Sequence, residues 1–239
     1  MLAEDSLKID WAHMPTYNTI MAVAGGAGLL LVVGLSRRLL GTTSTFERDE
    51  EFEPAGWALG MGVLGVILTL TGLHMTLTWP LAAGGFPFDN VIFGEPCLAF
   101  GVLLLAAALY LWRRGTDLRS AQDRPRLVAR VSGPVSVFVF GMGLACLGIA
   151  AAGIDNKLFA APPQEPISGT FADYPWVEAI FMSGLFALVG IGAVLAPFGF
   201  RGKGLRAVVG VVWSISGALF LLFGALNYFT HIGLIINTM

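Results

Sequence analysis

The sequence predicts an all-α fold: a bundle of six transmembrane helices with both termini outside and a repeated helix pair. Three observations carry that prediction. The chain is 56% hydrophobic and 13% charged, with a mean hydropathy of +0.76, whereas soluble domains carry about 25% charged residues. Six apolar runs reach the roughly 20 residues that a bilayer crossing needs. The basic residues also gather in alternate connections between those runs.

The runs fall near residues 17–38, 56–79, 93–113, 133–154, 176–199 and 206–231, so residues 1–239 read as one integral membrane domain. Backbone polar groups inside lipid must be satisfied within the segment, which makes each run a helix. Stretches such as GVLLLAAALYLW lack the alternation of a membrane β-strand. The segment before the first run, MLAEDSLKIDWAHMPTYN, is polar and acidic. A signal peptide would begin basic and have a shorter apolar core, so the first run is expected to be retained as a helix.

Orientation follows from charge. Arg37, Arg38 and Arg48 sit in the first connection. Arg113, Arg114, Arg119, Arg124, Arg126 and Arg130 lie in or beside the third, and Arg201, Lys203 and Arg206 in or beside the fifth. The second connection and the C-terminal tail carry none, the fourth only Lys157 and the N-terminal tail only Lys8. The positive-inside bias therefore places the odd connections in the cytoplasm and both termini outside, in a prokaryotic cytoplasmic membrane. A net charge of −2 gives no support for nucleic-acid binding. Cys97 near the start of one run and Cys146 in the middle of another differ in depth, which argues for free buried thiols.

A repeat is visible inside the runs. GMGVLGVILTLTGLH, from Gly60 to His74, aligns with GMGLACLGIAAAGID, from Gly141 to Asp155. EPCLAFG, starting at Glu95, aligns with EAIFMSG, starting at Glu178. Helix pairs 56–113 and 133–199 thus read as a duplicated unit, and the last and first runs form a looser third pair. The glycines belong to packing seams. Trp57, Trp79, Trp112, Trp176 and Tyr228 lie near run ends and read as interfacial anchors.

All three histidines, His13, His74 and His231, belong to the outer half, together with Asp10, Asp89, Glu95, Asp155, Glu165, Asp173 and Glu178. Glu95 and Glu178 at helix starts suit the positive end of the dipole without any function. Asp89, Asp155, Glu165 and Asp173 sit in turn-like sequence and read as structural. The functional alternative is an outer-facing pocket between the second, third, fifth and sixth runs. There His74, Glu95, Glu178 and His231, closed over by His13, would bind a metal ion. Copper, zinc and iron all suit such donors. His74 and His231 could instead hold a haem, or the group could handle protons in redox chemistry. Two other classes compete: an accessory subunit of a larger membrane complex or homo-oligomer packing through glycine-rich faces, and a transporter. The inner halves of the runs hold almost no polar side chains, which places transport third. No GxSxG, Walker loop or HExxH occurs.

The stretches GLHMTLTWPL and NVIFGEP, followed later by AxxGIDN, resemble an uncharacterised family of membrane proteins catalogued as a domain of unknown function in actinobacteria and archaea. The resemblance implies a multi-span membrane protein and supplies no activity or catalytic residues.

Overall fold

A computed structural model of the chain describes residues 9–40, 52–81 and 86–239. Lys8 and Arg48, two of the charges used for orientation, lie outside the described residues. Six long helices cross the molecule: α1 (Asn18–Leu39), α2 (Pro54–Leu77), α3 (Glu95–Ser120), α4 (Arg124–Asn156), α5 (Trp176–Leu195) and α6 (Lys203–Thr238). A π-helical turn, Asn90–Gly94, leads into α3, and a 3-10 turn, Ala196–Arg201, continues α5. All six are long and apolar enough to span a membrane, and the described residues contain no strand.

The helix starts are written locally. Glu53 accepts a hydrogen bond from the Ala55 N–H at 3.2 Å, and Asp123 accepts one from the Arg126 N–H at 3.0 Å. Each side chain satisfies an N–H that has no partner within its own helix. Pro54, Pro96 and Pro125 occupy first-turn positions, where a missing N–H costs nothing. α4 ends at Lys157 in the left-handed region (φ 52°), a usual way of stopping a helix.

Helices α3, α4 and α6 outrun the apolar segments, α6 by continuing to Thr238. α3 continues to Ser120 and α4 begins at Arg124, so the arginine-rich third connection is a polar helical hairpin with a turn at residues 121–123. Arg124 closes it by donating to the carbonyls of Leu118 at 3.0 Å and Arg119 at 2.7 Å. A cation at the C-terminal end of α3 also meets the negative end of its dipole. Apolarity marks only the part of a helix that lipid surrounds, so it understates helices that project into water.

Successive helices run antiparallel. Both termini therefore share one end of the bundle with the connections at 78–94 and 157–175, and the arginine-rich connections share the other. The closest pairings are α2 with α3, α1 with α6 and α4 with α5. These are the two pairs of the sequence repeat and its looser third. Each seam is a backbone approach at glycine: Gly72 lies against Leu98 and the Gly94 carbonyl, Gly26 against Leu221 and Gly217, and Gly143 against Val194. Met21, Met61, Leu68, Met75 and Leu104 fill one core, and Cys146, Met182, Leu185 and Phe186 a second. Large apolar side chains such as Leu59, Leu70, Val137, Leu222 and Ile236 point outward, as lipid-facing surfaces require. Trp79 and Trp176 are exposed at helix ends, Trp112 and Tyr228 are exposed eight and ten residues inside the ends of α3 and α6, and both thiols are free.

The seam predicts a contrast. A side chain at Gly72 would overlap the α3 backbone, whereas one at Gly141 meets open space. Gly72→Leu is expected to destabilise the detergent-solubilised protein by at least ~1–3 kcal/mol and Gly141→Leu to leave it unchanged. Thermal unfolding of the two variants checks this, and equal melting temperatures would contradict the seam.

Candidate functional site

At the end that carries the termini, three pieces of chain close over the helix tips and leave a cavity of about 150 Å³. One wall is the π-helical turn. Buried Asn90 donates through its side-chain amide to the carbonyls of Met75 and of Thr78, the latter at 3.3 Å. It thereby satisfies acceptors that the last turn of α2 leaves open. This clamp fixes the turn, sets Phe93 against Phe159 and Phe186 (ring centres 6.3 and 6.2 Å apart), and holds Asp89 at the cavity edge.

The second wall is the connection between α4 and α5. Phe159 stacks on Phe186 at 5.8 Å with the rings 15° from parallel. Farther along, the Ser168 N–H donates to the Pro166 carbonyl at 2.8 Å across Ile167, whose φ is +68°. That is the rare γ-turn, strained for any β-branched residue. Strain of this kind persists only where surrounding contacts enforce it, and it concentrates at functional sites. Here Pro166 is pinned against Gly233 of α6, and Asn237 donates to the Gln164 carbonyl at 2.8 Å. The result holds Glu165 and Ser168 at the cavity. The third piece is the segment before α1, tied down by Trp11 Nε1 donating to Thr238 Oγ1 at 3.2 Å.

Four titratable groups line this one cavity: Asp89, Glu165, Glu178 and His231. Glu165 Oε1 lies 3.8 Å from His231 Nε2, and the two side chains are only 11% and 26% exposed. Glu178 Oε2 accepts the Ala161 N–H at 2.5 Å. Asp89 is 4% exposed, and burial pushes its carboxyl up to about 7. Burial also raises Glu165 above the usual carboxylate range, against the opposing pull of the Thr230 hydroxyl. The remaining lining is largely aromatic, including Phe88, Phe93, Phe159, Phe181 and Phe223.

The expected constellation is divided by the fold. Glu178 and His231 both line the cavity, whereas Glu95 is exposed at the start of α3 and lines no part of it. His74 is exposed and pairs through Nδ1 with the Tyr17 hydroxyl at 2.7 Å. His13 is bound to Asp10 at 2.6 Å on the exposed surface. Two residues read from sequence as turn-formers, Asp89 and Glu165, take the vacated places. Only the connections' tertiary folding brings them in, and no local sequence signal announces it. Asp155 and Asp173 are exposed. Among the described residues no three His, Cys, Asp or Glu side chains are grouped to hold a metal ion. The donors thus do not fit a three- or four-ligand metal centre, and a haem bridging His74 and His231 would need them in one cavity.

The fold and cavity define a polytopic membrane protein with a cluster of buried acids at one end of its bundle. The chain belongs to DUF981, a family of proteins of unknown function, which matches residues 14–233. That match bears out the resemblance to an uncharacterised family. No curated protein and no solved structure matches it.

Asp89 makes a pH prediction. Its folded-state pKa lies above the ordinary 3.8, so the native state holds the proton more tightly than the unfolded chain. That contribution to stability is complete below about pH 4 and is lost as pH rises through about 7. Asp89→Asn is expected to match the native protein near pH 4 and to melt a few degrees higher at about pH 8. Parallel melting curves at both pH values would refute the buried, proton-holding state of Asp89.

Proposed function

We propose that the cavity binds a ring-sized, lipid-soluble molecule with an ionisable hydroxyl, of the quinol class, and exchanges its proton with the outer aqueous side. The observation that carries this reading is the Glu165–His231 pair facing a phenylalanine-lined hollow. A cavity near 150 Å³ matches one known to take benzene. Phenylalanine faces hold a ring by offset or edge contacts. Glu165 accepts the ligand's hydroxyl hydrogen bond, and His231 beside it takes or returns the proton as general base or acid. Asp89 and Glu178 supply further carboxyls around the same cavity, so a proton taken from the ligand has a next acceptor.

The arginine distribution supports reading this cavity as facing the outer side of a prokaryotic cytoplasmic membrane. A metal centre calls for three or more such donors, which the described residues do not group together, and a haem on His74 and His231 calls for two residues of which only His231 lines the cavity. The accessory-subunit reading rests on glycine-rich faces, and Gly26, Gly72 and Gly143 are taken up by seams within the bundle. Transport ranks lower because the inner halves of the spans hold almost no polar side chains.

Calorimetric titration with a tail-less benzoquinol tests the assignment. Glu165→Gln and His231→Ala are each expected to weaken binding by about tenfold, the worth of a hydrogen bond to a charged group. Glu95→Gln and His74→Ala, outside the cavity, are expected to have no effect. Affinity falls on acidification as Glu165 takes up a proton. Equal effects from Glu165→Gln and Glu95→Gln would sink the proposal.

Orientation is tested separately. In a chain with Cys97 and Cys146 replaced by alanine, Tyr174→Cys is expected to react with a membrane-impermeant thiol reagent in intact cells. Gln122→Cys is expected to react only after lysis. The reverse pattern would invert the topology.

A further inference from the structure

A second cavity, about 440 Å³, opens at the arginine-bearing end between α1, α4, α6 and the 3-10 turn after α5. Its wall is mostly apolar, with Val135 and Val139 of α4 and Trp213 of α6 among its lining. Its polar groups are of one kind. Arg37 and Arg206 line it together with the hydroxyl-bearing Ser36, Ser132 and Ser136, and among the described residues no acidic side chain does. Arg206 is half-buried, and its Nε is buried with no hydrogen-bond partner.

We propose that this cleft is a binding site for an anionic phospholipid, with the phosphate on Arg206 and Arg37 and an acyl chain along the apolar wall. A guanidinium N–H left dry without an acceptor is costly. A phosphate oxygen meets that need with the planar, paired geometry for which arginine is suited. The charge set is complementary to one sign only, and basic hollows between helices on the cytoplasmic side are where anionic head groups dock. A free phosphate would satisfy the arginines but leave the apolar wall of the cleft unfilled. The cleft lies at the opposite end from the acid-lined cavity, and the proposal is independent of what that cavity binds.

The test uses the full chain in nanodiscs of phosphatidylcholine with increasing phosphatidylglycerol, read by thermal unfolding and by native mass spectrometry of retained lipid. The native protein is expected to melt higher as phosphatidylglycerol increases and to retain it selectively. Arg206→Gln and Arg37→Gln are each expected to weaken that retention by about fivefold to tenfold. Arg126→Gln, an exposed arginine at the same end that does not line the cleft, is expected to leave it unchanged. Arg206→Lys keeps the charge without the fork, so an intermediate loss is expected. It also serves if Arg206→Gln does not fold. Equal losses from Arg126→Gln and Arg206→Gln would overturn the site in favour of general surface attraction. Stabilisation by inorganic phosphate that abolishes the lipid preference would overturn the lipid in favour of the free anion. Glu47, Asp49, Glu50 and Glu51 follow Leu40 in sequence and lie outside the described residues. A phosphatidylglycerol preference present only after all four are made amides would identify the chain's own acidic segment as the occupant, and would also overturn the proposal.

Discussion

Close backbone approach at glycine is the constraint on which the remaining architecture depends. Lipid tails are as apolar as leucine, so the hydrophobic effect that condenses a soluble core does little to hold one membrane helix against another. Association then rests on van der Waals contact, which falls away steeply with any gap. Gly72, Gly26 and Gly143 each place one helix's backbone against its partner's, and they do so in the three closest pairs of the bundle. These seams determine where the helix tips emerge, and through them the spacing of α5 and α6 around His231 and Glu178.

The helices supply a frame, and the connections supply the chemistry. Asn90 spends its amide on the open carbonyls of α2, and this fixes the turn that carries Asp89 and Phe93. The strained turn at Ile167 brings Glu165 over α6 and is held by Pro166 against Gly233. A carboxyl kept largely from water holds its proton to higher pH, so the same closure that forms the cavity pushes Asp89 up to about 7 and raises Glu165 above the usual carboxylate range. Packing at the seams thereby reaches acid–base behaviour through two short segments.

Much of the frame was legible in sequence. The six spans, their pairing and the sorting of basic residues to one end all follow from hydropathy, glycine spacing and charge. The helix ends were less legible, because α3 and α4 continue as polar helix beyond the lipid-facing part and only tertiary contacts such as those of Arg124 disclose it. The site was half legible. Being ionisable near the outer boundary singled out Glu178 and His231, which line the cavity, but the same criterion also admitted His74, Glu95 and His13, which do not. Depth along a helix does not specify azimuth, and those three residues face outward or bind a neighbour. Asp89 and Glu165 were passed over because turn-like sequence is the ordinary setting of a solvated acid. Burial there comes from chain segments distant in sequence.

The repeat shows why register alone does not make a site. Glu95 and Glu178 begin corresponding helices, each with a glycine six residues later. Glu95 is exposed, whereas Glu178 is half-buried and holds the Ala161 N–H. Both helices belong to closely packed pairs, α2 with α3 and α4 with α5, and the connections above them differ. After α4 the chain folds back, stacks Phe159 on Phe186 and roofs the start of α5. Gly101 at the α3 seam sits against Thr69, while the aligned Gly184 meets open space, so the two pairs have also diverged in how tightly their partners close. A glutamate at a helix start is therefore a neutral endowment of the unit. It becomes part of a cavity only where the adjoining connection removes water and brings a second titratable group within reach. In this chain the connection between α4 and α5 does both, and the specificity of the site is written there more than in the spans.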